Sequence, residues 1–276
     1  MRHFLISTLA FVAFSFGANA SSPKYMELAD SADNYIKRER WSDAESTIIS
    51  ALRLEPGNFS NALLLSNLGV VRTNLGKMEE ALEAFRLGLS VAPKSSVIRT
   101  NRARTFLFMG DYENALSDLN ETLEIDSIQE WPLQMRGLLL LGNDEIEKAR
   151  KDFTRLSKLN PRNSTAMAGL ARVAEKEGNF NDALKFYDEA INIDDNPETR
   201  FSRILLKINL ENYSDASQDI VNSIKIYPEH PDFYIARGYL HLLNFRNQEA
   251  SIDRKIALDK GADPQLVEQF IPERRR

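Results

Sequence analysis

Apolar and small residues recur along this chain at three- and four-residue steps. Glycine, asparagine and proline break the pattern at regular intervals. Between residues 62 and 95 it runs Leu65, Leu68, Gly69, Gly76, Ala81, Phe85, Gly88 and Pro93. Such steps place side chains on one face of a helix. Gly76 and Lys77 interrupt the run midway, and proline, which lacks a backbone donor, ends it at Pro93. The stretch predicts two helices joined by a tight turn.

The hairpin repeats, and one alanine marks its register. Ala44, Ala81, Ala115, Ala149, Ala183, Ala216 and Ala250 lie 37, 34, 34, 34, 33 and 34 residues apart. A constant period near 34 is the signature of a helical solenoid. Twelve residues before each alanine stands Ala32, Gly69, Ala103, Gly137, Ala171, Ile204 or Gly238. Four residues after it stands Ile48, Phe85, Leu119, Phe153, Tyr187, Ile220 or Arg254. Twelve residues after it stands Pro56, Pro93, Ser127, Pro161, Asp195, Pro228 or Ala262. Two antiparallel helices approach closely only where side chains are small, so a Gly or Ala on the first helix faces the Ala on the second. The large residue one turn on fills the space beside that contact. Ala115→Ile overpacks the crossing, at a cost of roughly 1–3 kcal/mol.

On these residues the chain resembles the tetratricopeptide repeat (TPR) family. The resemblance covers about seven repeats over residues 25–264. It implies an all-α, right-handed solenoid (superhelix) in which the first helices line a concave groove. Three departures stand out. Phe59, Ser60 and Asn61 are extra residues between repeats one and two, expected either to lengthen the next helix or to bulge as a loop. Ile204 is large for its slot. Arg254 stands where a core residue belongs, which predicts an exposed face on the last repeat.

The ends differ from the repeats. Residues 1–20 carry a short polar start (Arg2, His3), an apolar run over residues 4–16 and an Ala18-Asn19-Ala20 cleavage pattern. This predicts a cleaved signal peptide. The run is shorter than the ~20 residues that span a bilayer, so no stable membrane insertion is expected. Residues 21–24 read as a linker. After repeat seven, Asp263 and Pro264 look like a helix N-cap and first helical residue. Residues 265–276 read as a short capping helix followed by a basic tail, Arg274-Arg275-Arg276. Gly110-Asp111, Gly142-Asn143 and Gly178-Asn179 mark inner turns, and repeat six uses Glu211-Asn212 instead.

Composition narrows the setting. With 43% apolar and 27% charged residues the chain is ordinary globular material. It has no cysteine, so disulfides and a lipid-bearing cysteine are excluded. A cysteine-free exported solenoid fits a bacterial periplasm, with secretion as the alternative. Arg2 is the one formal charge in residues 1–20, so cleavage takes the net charge from −5 to −6. That sign disfavours nucleic acid, which is bound by neutralising phosphates.

No catalytic signature is present, and no cofactor or metal is expected. His230 and His241 lack metal-ligand spacing. No phosphate-binding glycine loop, zinc-protease motif or nucleophile elbow occurs. The chain reads as a binding scaffold, not an enzyme, with a protein or peptide partner. The family resemblance implies groove-facing places in each first helix, and on those places stand Asn67, Asn101, Arg104, Trp131, Arg172, Phe201 and Tyr239. Asn67 and Asn101 hold equivalent places on neighbouring repeats, where family members grip a peptide backbone; a carboxamide offers both a donor and an acceptor. Arg104 and Arg172 suit a carboxylate. Phe108 lies further along the same face. An anionic glycan or cell-wall ligand is the second reading, using the arginines and aromatics. The later groove places are apolar: Leu138, Leu141, Phe201, Leu205, Ile208, Tyr239, Leu242 and Leu243. So long a stripe predicts a partner helix, a homodimer, or a shifted register in repeats six and seven.

Overall fold

The computed structural model describes residues 21–273; the expected signal peptide and the three terminal arginines lie outside the described residues. All regular structure among the described residues is helical. Seven helix pairs form the repeats: α1 (Pro23–Lys37) with α2 (Trp41–Leu54), α3 (Asn61–Asn74) with α4 (Met78–Val91), α5 (Ser96–Met109) with α6 (Tyr112–Ile125), and α7 (Glu130–Gly142) with α8 (Ile146–Leu159). They continue with α9 (Ser164–Lys176) and α10 (Phe180–Ile193), α11 (Pro197–Asn209) and α12 (Tyr213–Ile226), and α13 (Asp232–Leu243) and α14 (Asn247–Asp259). A fifteenth helix, α15 (Pro264–Phe270), closes the chain. The chain divides between Leu139 and Leu140 into two compact units. Within each unit a first helix packs on its own second helix and on the next first helix, as α3 does on α4 and α5, and α11 on α12 and α13.

The seven marker alanines are all fully buried. So are the large residues one turn on, from Ile48 to Ile220. The close approach they permit is visible at Gly69, where an added Cβ would lie 2.5 Å from the Phe85 ring. Ile204 is also fully buried, packed with Ile208, Ala216 and Phe233, so repeat six absorbs the larger residue in its core.

Several helix ends are chemically marked. Ser95, Asp111, Asn163 and Asn196 accept from backbone N–H groups of the first turns of α5, α6, α9 and α11. The helices before Pro56, Pro93, Pro161 and Pro228 all stop two residues short of the proline. The pyrrolidine ring pushes the intervening residue out of the helical region, as at Glu55, with φ −133° and ψ 72°.

Each inner turn uses one left-handed residue: Glu39, Gly76, Gly110, Asp144, Gly178, Glu211 and Phe245. In repeat four that residue is Asp144, not the expected Gly142, which is the last residue of α7. The turn sits five residues before the marker alanine in every repeat, so register, not glycine, decides its place.

The extra residues make a turn before α3, with Phe59 exposed and Asn61 buried as the first helical residue. The Asn61 amide donates to the carbonyls of Glu55 (2.7 Å) and Pro56 (3.1 Å), and its oxygen accepts from the Tyr25 hydroxyl at 2.9 Å. Burial pushes the Tyr25 phenol up to about 12, so it serves as a neutral donor. The linker is shorter than expected. Ser22 caps α1, and its backbone N–H donates to Glu55 at 2.7 Å.

A second regularity ties the two helices of several repeats. Arg102 donates to Asp118 through Nε (2.8 Å) and Nη2 (2.7 Å). Arg237 grips Asp253 in the same fork, and Arg203 pairs with Asp219 at 3.0 Å. Arg136 and Asp152 hold the same two places in repeat four. The arginine always lies thirteen residues before the marker alanine and the aspartate three after it. In repeats one, two and five neither is present: the places hold Ser31 and Thr47, Leu68 and Ala84, Leu170 and Phe186. The two charges occur together or not at all, as expected if each is costly to bury alone.

Repeat seven ends differently. Arg254 is not on an exposed face. It donates from Nε to the Ile271 carbonyl at 3.0 Å and pairs with Glu268 at 2.9 Å, clamping α15 from its far end. Ile271 is buried over Gly238, where an added Cβ would lie 2.3 Å from its Cδ1. It takes the place over a first-helix glycine that Phe85 takes over Gly69.

Candidate functional site

Asn67 lies on α3 and Asn101 on α5, both half-buried on the first-helix face of the first unit. Asn67 donates to Asp33 on α1 at 3.2 Å, and Asn101 donates to Ser66 on α3 at 3.1 Å. Both amides therefore link successive first helices. Below them the hydroxyls of Thr73 and Thr105 meet at 2.8 Å in the core. These bonds hold the first helices in register and fix the orientation of the face.

Arg104 follows Asn101 by one turn. Its guanidinium stacks over the Trp131 ring at 4.3 Å, joining α5 to the start of α7. Its Nε is shut away from solvent with no hydrogen-bond partner among the described residues. Burial pulls its ionisation below the usual arginine value, because removing water penalises the cation. Phe108, one turn further along α5, is 58% exposed. So Asn101, Arg104, Trp131 and Phe108 form one polar and aromatic strip.

Arg172 stands in the second unit. It lines a cavity of about 380 Å³ with Glu175, Lys176, Tyr187, Ser202 and Leu205, between the first helices of repeats five and six. The Tyr187 hydroxyl donates to the Glu175 carboxylate at the base of this cavity. Burial pushes the pKa of both groups up, disfavouring their charged forms, and on Tyr187 the neighbouring Glu175 charge pushes it up further.

Phe201 and Tyr239 do not stand open. Phe270 of α15 packs edge-on against both, with ring centroids at 6.3 Å and 5.3 Å. Leu141 and Ile208 are buried as well. The later half of the expected apolar stripe is thus covered in part by the chain's own last helix. Nothing in the hydrophobic pattern assigned α15 to that face; the clue was Arg254, the polar residue at a core place. Among the described residues no group of His, Asp and Glu is placed to hold a metal ion. No described helix is long and apolar enough to cross a membrane.

The fold and this face define a helical-repeat binding module. The tetratricopeptide repeat pattern matches residues 30–96 and 135–197, and a second pattern for the same repeat matches 98–128. The chain belongs to the tetratricopeptide repeat family, whose repeats are protein–protein interaction modules and whose scaffold members are generally not enzymes. The crystal structure of a tetratricopeptide repeat protein from Parabacteroides merdae aligns over 91% of this chain and 98% of its own, with 26% identity and a TM-score of 0.72. PilF of Pseudomonas aeruginosa aligns over 76% of this chain and 95% of its own, at 19% identity and a TM-score of 0.63, which shows the shared fold. Human DnaJ homolog subfamily C member 7 is 28% identical over 182 residues, 60% of this chain. This chain spans 37% of that relative's length.

Proposed function

We propose that this protein is an exported adaptor of the bacterial cell envelope that holds an extended or helical segment of a partner protein on its first-helix face. One observation carries the reading: the strip formed by Asn101, Arg104, Trp131 and Phe108. Its Asn101 amide is held by the neighbouring first helix, its cation lacks an internal counter-charge, and its aromatic ring at Phe108 faces solvent. The N-terminal pattern supports export, and the absence of cysteine agrees with a periplasmic site. No membrane helix and no second copy are invoked. The apolar places of repeats six and seven already have α15 against them.

A second reading, an anionic glycan or cell-wall ligand, draws on the cavity beside Arg172, whose lining includes the hydroxyl-bearing Ser202 and Tyr187. Photo-crosslinking in the native cell separates the two. A probe at Phe108 should give a discrete protein adduct, while one at Lys185, on the opposite helix of repeat five, should give none. Protein adducts from Lys185 alone would remove the first-helix face from consideration. A glycan adduct from Phe108 would favour the second reading.

A further inference from the structure

The arginines around Arg104 all have partners. In the same unit Arg72 faces Glu45 at 3.0 Å, Arg99 donates to Glu121 at 2.6 Å, and Arg102 is forked on Asp118. Arg104 is sunk deeply enough for its Nε to lose water, yet no carboxylate of the described chain pairs with it. Stacking on Trp131 offsets some of the lost hydration of the cation. It supplies no hydrogen-bond acceptor. The residue as a whole is still part-exposed, so an incoming oxyanion can reach the guanidinium.

The neighbouring residue gives the ligand its second feature. Phe108 lies four residues after Arg104, about 6 Å further along the same helical face. Alternate side chains of an extended strand project on one side about 6.6 Å apart. An extended segment lying along α5 can therefore place one side chain at Arg104 and the next-but-one at Phe108. Resting on the scaffold reading, we propose that Arg104, stacked on Trp131, binds an Asp or Glu side chain of an extended partner segment, and that Phe108 takes an apolar side chain two residues away. A carboxylate matches the planar guanidinium in shape as well as in charge. Asn101, held by Ser66, stands one turn from Arg104 to meet the segment's backbone.

Phage selection of random twelve-residue peptides against the full chain tests this. Selected peptides should share an acidic residue spaced two places from an apolar one. Synthesised with blocked ends, such a peptide should bind about tenfold more weakly when its acid is changed to the amide. Arg104→Gln should give a similar loss, and combining the two changes should add little. Arg86→Gln, on the second helix of repeat two where Arg86 pairs with Glu83, should leave binding unchanged. Selected peptides without an acidic preference would overturn the proposal while leaving the scaffold reading standing, and so would equal binding of the acid and amide forms. The peptide comparison uses the unaltered protein, so it stands even if an Arg104 variant misfolds. Failure to select any peptide would sink the scaffold reading itself. Arg104-dependent binding of a uronic-acid oligosaccharide in its place would reassign the carboxylate to a glycan and overturn the peptide proposal.

Discussion

Removing one member of the Arg102–Asp118 pair should destabilise the fold far more than removing both. The Asp118 side chain is 2% exposed and that of Arg102 is 25% exposed. Asp118→Ala takes away two charge-assisted bonds and leaves a cation between two helices. Arg102 can swing partly into water, so the cost falls at the low end of the range for breaking a buried pair, about 3 kcal/mol. Arg102→Leu leaves the nearly sealed carboxylate alone, and the cost rises to about 4–5 kcal/mol. Its contact with the Phe106 ring, 5.9 Å away, is also lost but is minor. The combined Arg102→Leu, Asp118→Ala protein reproduces the Leu68 and Ala84 arrangement that repeat two already uses. It should lie within about 1 kcal/mol of the parent, since a packed apolar pair is often as stable as a buried ionic one. At roughly 2–4 °C per kcal/mol for a chain of this size, Asp118→Ala should lower Tm by about 6–12 °C and the double variant by a few degrees. Thermal and urea unfolding followed by circular dichroism give the comparison. The reasoning fails if the double variant loses the sum of the two single losses, or if each single change costs under 1 kcal/mol.

Three other outcomes follow from the same geometry. Phe245 is both left-handed and 89% exposed, so Phe245→Gly should raise stability by about 1 kcal/mol through relief of the Cβ clash, read as a higher Tm. Gly69→Ala should be strongly destabilising because its Cβ would strike the Phe85 ring, whereas Gly238→Ala meets chiefly the terminal methyl of Ile271 (2.3 Å) and, less tightly, Asp253 Cβ (3.1 Å); hydrogen exchange should show the second change loosening α15 most, and Ile271→Ala should relieve the clash. The hydrogen bonds from Arg200 hold the Asp195 carboxyl below its usual value. That contribution is present above the unfolded carboxylate range and is lost as pH falls through the folded value, so Asp195→Asn should flatten the acid limb of a stability profile. An unchanged limb would show that the pair carries no folding energy.

The repeats were legible because their cause is local. A small residue, its facing alanine and the large residue a turn on are each set by helix contact, and the period carries them through seven repeats. The inner turn of repeat four was misplaced because glycine is only one way to supply a left-handed residue. Asp144 adopts φ 61°, and the two-residue offset from Gly142 shows only against the alanine register. The Arg–Asp pairs were present in the spacing, but they become visible only once a place on the first helix is compared with one on the second. Of the expected binding residues, Arg104 and Trp131 come together although 27 residues separate them. Periodicity puts both on first helices but says nothing about a stack between them. Phe201 and Tyr239 obeyed the repeat register and still met the chain's own helix, because the register of a repeat does not specify how the last repeat is closed.

That closure explains how the first-helix residues divide their work. A terminal repeat exposes the core that the next repeat would bury. Here Arg254 displaces the usual large residue, Ile271 fills the space over Gly238, and Phe270 covers Phe201 and Tyr239. The apolar places of repeats six and seven thereby go to stability. In the first unit the place that Tyr239 fills holds Arg104 in repeat three, and Asn67 and Asn101 stand three places before it in their repeats; their amides keep the helices aligned without sealing the face. On the proposed reading, recognition falls to the residues that core packing does not consume. Loosening α15 by Gly238→Ala should then lower stability and leave ligand capture at Arg104 unchanged, whereas Arg104→Gln should do the reverse. If the two variants failed together in both assays, stability and recognition would not be separable along this chain.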